Sequence, residues 1–283
     1  GIKKGDIYSQ AVLDARLYMS QDSRDVTSLY MDDGYLFFQI QPTEVLVEND
    51  SIDIEMRIYE GKQATINKVT VVGNTKTNDK VIIREIRTKP GQLFSRADII
   101  RTQRELAQLR YFNPEKLGVN PKPNPADGTV DIEYVVEEQA SDQLELSGGW
   151  GAGRLIGTLG VSFNNFSARS MFKPGAWRPV PAGDGQALSV RAQTTGRFYT
   201  SFSASFTEPW LGGKKPNSFS TTVYHNRQNQ TGLKSDDPLR QTLFITGVSF
   251  GLGKRLKKPD DYFTLFQEMN IANYQLRNFR GTF

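Results

Sequence analysis

The stretch from Val135 to Gly151, VVEEQASDQLELSGGWG, separates a chain of mixed pattern from a chain of uniform pattern. Before it, helical and strand periodicities alternate and charge is dense. After it, apolar and small polar residues alternate at period two, rich in Gly, Ser, Thr and aromatics, with scarcely a helical signal. Leu144, Leu146, Gly148 and Trp150 share one face of a strand, and Glu145, Ser147, Gly149 and Gly151 share the other. With almost no linker, the fold must therefore join a soluble module directly to a sheet. The alternation predicts the first strand of a membrane β-barrel.

The second half offers about seven strand candidates. They are Leu144–Gly151, Leu155–Phe163, Ala187–Thr194, Ser201–Thr207, Ser218–Asn226, Leu243–Leu252 and Tyr262–Asn273. Most are near the length of about 9–12 residues at which a tilted strand crosses a bilayer. Their small polar face suits a wet lumen and their aromatic face suits lipid. Trp150, Tyr199, Trp210 and Tyr262 lie near strand ends, where aromatic anchors meet the membrane–water interface. The same alternation builds a soluble β-sandwich, in which the apolar face is a core, so pattern alone leaves both architectures open. Bacterial single-chain barrels use an even number of strands from about eight upward. An open edge in hydrocarbon leaves backbone groups unpaired, so these strands are expected to form part of a larger barrel. The connection Ser167–Gly185, with Pro174, Pro179, Pro181 and Trp177, is long enough to read as an insertion.

The first half carries a repeat. Lys4-Gly5-Asp6-Ile7-Tyr8-Ser9 resembles Pro90-Gly91-Gln92-Leu93-Phe94-Ser95, and Ser51–Met56 resembles Thr129–Tyr134. In the second copy a strand through Ile66, Val69 and Val71 stops at the turn signal Gly73-Asn74. Thr77 or Asn78 caps a short helix bearing Val81, Ile82, Ile83 and Ile86. Pro90-Gly91 breaks the chain, and Ser95, with Asp98 three residues on, caps a helix with Ile99, Leu106 and Leu109 at helical spacing. A weak strand near Lys116–Pro121, the Asp127-Gly128 turn and a strong strand Thr129–Glu137 complete a β-α-α-β-β unit. Two helices on three strands make a two-layer α+β domain. The first copy shows a helix from Ser9, a helical stretch around Val26–Asp32, and strands Tyr35–Val47 and Ile52–Tyr59. It lacks the opening strand and helix, so the natural chain is expected to continue upstream as an array. The predicted domains are 1–62, 63–139 and 140–283.

Little in the chain supports catalysis. Net charge is +4 from 35 basic and 31 acidic residues, an excess too small and too dispersed for nucleic acid. Cysteine is absent, which removes disulfides, a thiol nucleophile and cysteine metal sites. His225, the sole histidine, lies in a strand candidate and offers no triad or metal cluster. Gly148-Gly149-Trp150-Gly151-Ala152-Gly153 lacks the Lys-Ser/Thr and the helix of a phosphate loop. No enzyme, catalytic residue, cofactor or metal is expected, and no stretch is apolar enough for a membrane helix.

A β-α-α-β-β array running straight into barrel strands resembles the POTRA-repeat plus β-barrel superfamily of outer-membrane assembly and translocation proteins, and most of all its assembly-factor branch. The residues that carry the likeness are Val72-Gly73-Asn74-Thr75 through Ile83-Arg84-Glu85-Ile86, Pro90-Gly91 and Leu109-Arg110-Tyr111-Phe112. The strand Val130–Glu137, Gly148-Gly149-Trp150-Gly151 and Thr207-Glu208-Pro209-Trp210 add to it. The likeness makes 1–62 most of the penultimate POTRA repeat, 63–139 the last, and 140–283 the opening strands of an outer-membrane barrel, with the repeats in the periplasm. Two departures stand out. The family's Arg-Gly-aromatic loop motif is absent, since Arg280-Gly281-Thr282 does not match it, and Ser167–Gly185 falls outside the pattern.

The resemblance implies unfolded outer-membrane protein clients, accessory outer-membrane lipoproteins docking on the repeats, outer-membrane lipid around the barrel, and no nucleic acid. Two strand edges are the candidate sites, because unpaired N–H and C=O groups bind another chain with little regard to sequence. One is the seam strand, with Leu144, Leu146, Ser147, Gly148, Gly149, Trp150 and Gly151. The other is an edge strand in the first repeat, with Tyr35, Phe37, Gln39 and Gln41. The glycines weaken the seam strand, or else they make room for packing in the lumen. A translocator of one secreted partner and a soluble periplasmic β-rich scaffold are the alternative functions.

Overall fold

The computed structural model describes residues 3–18, 20, 23–48, 51–151, 154–177, 179–229, 233–234 and 237–278. Arg280-Gly281-Thr282 lies outside them. The chain divides into two compact units, Gly1–Thr75 with Glu85–Gln139, and Lys76–Arg84 with Ala140–Phe283.

The first unit opens with helices α1 (Gln10–Leu17) and α2 (Val26–Asp32), followed by an antiparallel hairpin of β1 (Gln39–Glu48) and β2 (Ser51–Tyr59). Leu13, Leu17, Phe38 and Ile40 form its core, with Val26, Tyr30, Tyr35 and Ile54 packed against them. Asp25 caps α2 and is fully buried, accepting hydrogen bonds from the amide and hydroxyl of both Ser20 and Ser28. Burial pushes its carboxyl up, but those bonds outweigh burial and hold it below the ordinary carboxylate value.

The strand expected from Tyr35 to Val47 begins only at Gln39, and this corrects the placement of Tyr35 and Phe37. Both sit in a turn that follows Gly34, whose φ is +95°. The Tyr35 amide donates to the Tyr30 carbonyl and the Phe38 amide to the Tyr35 carbonyl, closing that turn. Tyr30 stacks on Phe38 with centroids 4.0 Å apart. Helix-to-turn packing thus overrides an aromatic alternation that reads as strand.

The second repeat follows the β-α-α-β-β order. It contains β3 (Thr65–Val72), α3 (Asp79–Ile83), α4 (Arg96–Gln108), β4 (Gly118–Asn124) and β5 (Thr129–Val135), with α3 grouped in the second unit. The sheet runs β3-β5-β4, with β3 parallel and β4 antiparallel to β5. Val130, Ile132, Tyr134 and Val136 are buried along β5 and its end, as alternation requires. Gly73 has a φ of +98°, and a Cβ there would collide with the Val136 carbonyl oxygen, so the Gly-Asn turn demands glycine. Ser95 accepts from the Asp98 amide at the start of α4. Three expectations shift. Ile86 lies beyond α3, the weak strand sits at Gly118–Asn124 after a 3-10 turn at Pro114–Lys116, and Asn78 makes no capping bond with its side chain. Its amide nitrogen instead donates to the Gly183 carbonyl and the Asp184 carboxylate inside the second unit.

The second unit holds one antiparallel sheet of seven strands in sequence order. They are β6 (Gln143–Gly151), β7 (Arg154–Phe166), β8 (Gln186–Thr194), β9 (Tyr199–Glu208), β10 (Asn217–Asn229), β11 (Thr242–Arg255) and β12 (Thr264–Arg277). The last begins two residues after the expected Tyr262, because the Tyr262 amide donates to the Asp260 carboxylate in the preceding turn. The register aligns the apolar positions across the whole sheet. Leu144 pairs with Val161, Val161 with Val190, Val190 with Ala204, Ala204 with Val223, Val223 with Val248, and Val248 with Ile271. The neighbouring row on the opposite face runs Ser162, Ser189, Ser205, Thr222, Ser249 and Asn270. Leu144, Leu159, Val190, Phe202, Val223, Phe250 and Ile271 on the apolar face are all exposed. A sandwich would bury that face, whereas a barrel turns it to lipid.

In the connection between β7 and β8, Asp184 accepts from Ser167 Oγ at 2.6 Å and pairs with Arg169 at 2.7 Å. Buried Asn165 donates to Thr77 Oγ1 and accepts from the Gly185 amide. Among the described residues, no helix is long and apolar enough to cross a membrane, which says nothing of strands.

Candidate strand-docking edges

β6 is an edge strand. Within the described residues it pairs with β7 alone, and its other side carries no partner. Leu144, Leu146 and Trp150 are 71%, 78% and 76% exposed. Gly148 pairs with Gly157 and Gly149 with Ile156. A Cβ built on Gly148 or Gly149 meets no atom within 4 Å among the described residues, and one on Gly151 only touches Ile156 at 3.9 Å. Neighbouring side chains therefore do not require glycine at these positions. What glycine supplies is weakness, about 0.5–1 kcal/mol per position relative to alanine.

One charged contact steadies the strand. Arg191 on β8 donates to Glu145 on β6 at 2.8 Å, reaching across β7 at Gly160, where both strands pair. A Cβ at Gly160 would press on the Glu145 carboxylate at 3.3 Å, so this glycine opens the path for the pair. Both partners are about half exposed and their net worth is roughly 0–1 kcal/mol. Sequence reading misses this pair, since neither charge is a neighbour of the other in strand order; opposite charges at matched register are the signal.

The aromatic anchors divide between the two ends of the sheet. Trp150 closes β6 and Tyr199 opens β9 at one end. Trp210 follows β9 and Tyr262 precedes β12 at the other. Trp150 and Tyr262 are largely exposed, while Trp210 lies under the Arg84 guanidinium at 5.7 Å within the second unit.

In the first repeat the hairpin has two strands, so each keeps one unpaired edge among the described residues. Gln39 and Gln41 lie on β1 and are exposed, whereas Tyr35 and Phe37 do not join them. The structure therefore brings two of the four expected residues onto an edge. In the second repeat, β4 is an edge whose Pro121 and Pro123 remove ladder donors, which blunts it toward another strand. No group of metal-ligating side chains occurs among the described residues. His225 sits on the apolar face, with Nδ1 at 2.7 Å from Thr246 Oγ1 and its ring stacked on Phe244.

Comparison with known proteins gives the following. The POTRA family, described as a surface antigen variable number repeat, matches residues 64–139. The outer membrane protein assembly factor BamA of Nitratidesulfovibrio vulgaris is 31% identical over 256 residues, covering 86% of this chain and 29% of the relative. BamA of Neisseria meningitidis serogroup B is 26% identical over 181 residues, covering 63% of this chain and 20% of the relative. The chain thus spans less than a third of the length of these curated relatives. The crystal structure of Haemophilus ducreyi BamA lacking POTRA domains 1–3 superposes with a TM-score of 0.72 at 18% identity, covering 98% of this chain and 47% of that one.

Proposed function

We propose, for a chain that belongs to the BamA-type family of POTRA-repeat and β-barrel proteins, that it works in folding and inserting β-barrel proteins into the outer membrane. It is an outer-membrane protein whose POTRA repeats lie in the periplasm. In the proposed mechanism β6 is the template. A client strand pairs with the open side of Leu144–Gly151 through backbone bonds, which tolerate any client sequence. Leu144, Leu146, Ser147, Gly148, Gly149, Trp150 and Gly151 would line that seam. The observation that carries this reading is an exposed strand, at the edge of the sheet among the described residues, whose Gly148 and Gly149 are not called for by any described neighbour.

The supporting roles are part of the same proposal. The β1 edge at Gln39 and Gln41 would hold unfolded clients, or the accessory lipoproteins of the assembly complex, by strand addition. Trp150, Tyr199, Trp210 and Tyr262 would fix the sheet at the two lipid interfaces. The division into 1–62, 63–139 and 140–283 is the corresponding domain assignment.

The test is crosslinking in cells with a photoreactive residue at Leu146, Ser147 or Gly149 of the full-length protein. The expected result is adducts to many nascent outer-membrane proteins. Adducts to one secreted protein would replace insertion with translocation. Absence of adducts, with both strand faces labelled by water-soluble reagents, would sink the seam altogether.

A further inference from the structure

The end of the sheet opposite the start of β6 is strongly basic. Antiparallel order places there the ends of β6, β8, β10 and β12 and the starts of β7, β9 and β11. The described cations at this end are Arg154, Arg197, Arg227, Lys234, Arg240 and Arg277, and the only described carboxylate is Asp237. None of the six makes an ion pair among the described residues. β6 starts at the other end of the sheet, a few residues along the chain from the last repeat, and on the proposed function the basic end is therefore the one away from the periplasm.

Two of these arginines stand on the lipid-facing side. Arg227 pairs in register with Phe244, which lies in the same face as Val248 and Phe250. Arg277 pairs with Thr242, and its guanidinium lies 5.5 Å from the centre of the Phe244 ring. His225 stacks on the same Phe244 ring. Arg227 Nη2 donates to Thr200 Oγ1 at 3.1 Å, while its Nε is shut away from solvent with no partner among the described residues, as is Nε of Arg240. An exposed guanidinium over an aromatic ring at the border of an apolar band, with a second arginine in register beside that ring and Asp237 the one described carboxylate at this end, suits an oxyanion that arrives with an apolar tail.

We propose that the outer end of β10, β11 and β12 binds the phosphate of an outer-leaflet lipid headgroup. Arg227 and Arg277 clamp the phosphate, Phe244 forms the floor, and the acyl chains lie along the apolar rows of the sheet. This rests on the outer-membrane placement of the chain and is independent of strand templating at β6.

The experiment titrates the full-length protein, in detergent micelles, with lipid A bearing two phosphates and with its dephosphorylated form, reading bound lipid by native mass spectrometry. The phosphorylated lipid is expected to bind at least about tenfold more tightly, a difference of about 1.4 kcal/mol. The Arg227→Gln/Arg277→Gln pair should erase that preference, whereas Lys257→Gln/Lys258→Gln, at the opposite end, should keep it. If the glutamine pair fails to fold, Arg227→Lys/Arg277→Lys keeps the charge but loses the fork, and should weaken the preference without abolishing it. Equal binding of the two lipids, or a preference that survives the double arginine change, overturns the proposal. Displacement of the lipid by equimolar inorganic phosphate would mark a free-anion site, and displacement by an acidic peptide a protein site; either result also overturns it.

Discussion

β6 and β11 are both rich in glycine, and the same residue does opposite things in them. In β11, Gly247, Gly251 and Gly253 are filled positions. A Cβ on Gly247 would lie 2.5 Å from the Tyr224 hydroxyl and 2.9 Å from the Ile271 carbonyl oxygen, and one on Gly251 would collide with Ser220 and the Phe266 ring. Tyr224 crosses the space above Gly247 to donate to Asn270, which in turn donates to Ser249. In β6, Gly148 and Gly149 have nothing above them among the described residues. One strand uses glycine to admit aromatic side chains and is held from both sides. The other uses it with no packing return and, among the described residues, is held from one. Glycine content alone therefore says nothing about strength; what occupies the missing Cβ decides it.

The comparison breaks most easily at Gly247. Gly247→Ala should lower stability by about 1–3 kcal/mol, because the Ile271 carbonyl is backbone and cannot yield. Urea titration of the folded protein, followed by the heat-modifiable gel shift of the barrel, reads this directly. A neutral result would show that β11 is as loosely packed as β6.

A change of similar kind in the periplasmic repeat supplies the control. Asp25→Ala removes the α2 cap and should cost about 1–2 kcal/mol. Its carboxyl has a folded value below the unfolded one. The stabilisation is therefore present above the ordinary carboxylate range and is lost as pH falls through the lowered folded value. Hydrogen exchange of the α2 amides should rise in that acid window in the native protein and stay flat with pH in the variant. Seam crosslinking should be unaltered at neutral pH. A seam that responds to Asp25→Ala would tie β6 to the repeat rather than to its own glycines.

The smallest effect is the most telling. Gly149→Ala should stabilise β6 pairing by about 0.5–1 kcal/mol, the reverse sign of the change at Gly247. Native-state exchange of the β6 amides should slow accordingly, and client adducts at Leu146 should fall. Destabilisation by this methyl would show that the position is filled after all.

Much of the fold is legible in the sequence. The period-two alternation places all seven strands of the large sheet, and the helix at Val26–Asp32 appears where its polar flank ends. What escapes is relational. Tyr35 and Phe37 alternate like strand residues, yet the turn is held by Tyr30 in the preceding helix, whose ring packs on Tyr35 and Phe38. Asn78 reads as a cap, and its side chain is claimed by Gly183 and Asp184, more than a hundred positions on. The seam residues Leu144–Gly151 are visible as a strand, but their edge position and the emptiness above Gly148 and Gly149 depend on which strands sit beside them. No window of local sequence contains that information.

The two sheets also differ in how their strands are joined, and this bears on how fast each is made. Every neighbour in the seven-strand sheet is the next strand in the chain. Each strand can zip onto its predecessor through a loop closure of low entropy, as in a growing series of hairpins. In the last repeat β3 pairs in parallel with β5, so Thr65 must find Thr129 across the whole length of the domain. That search is long-range and is intrinsically slower per contact. β3 must therefore remain without its β-sheet partner until β5 is available, while β7 can pair with β6 as soon as it follows it.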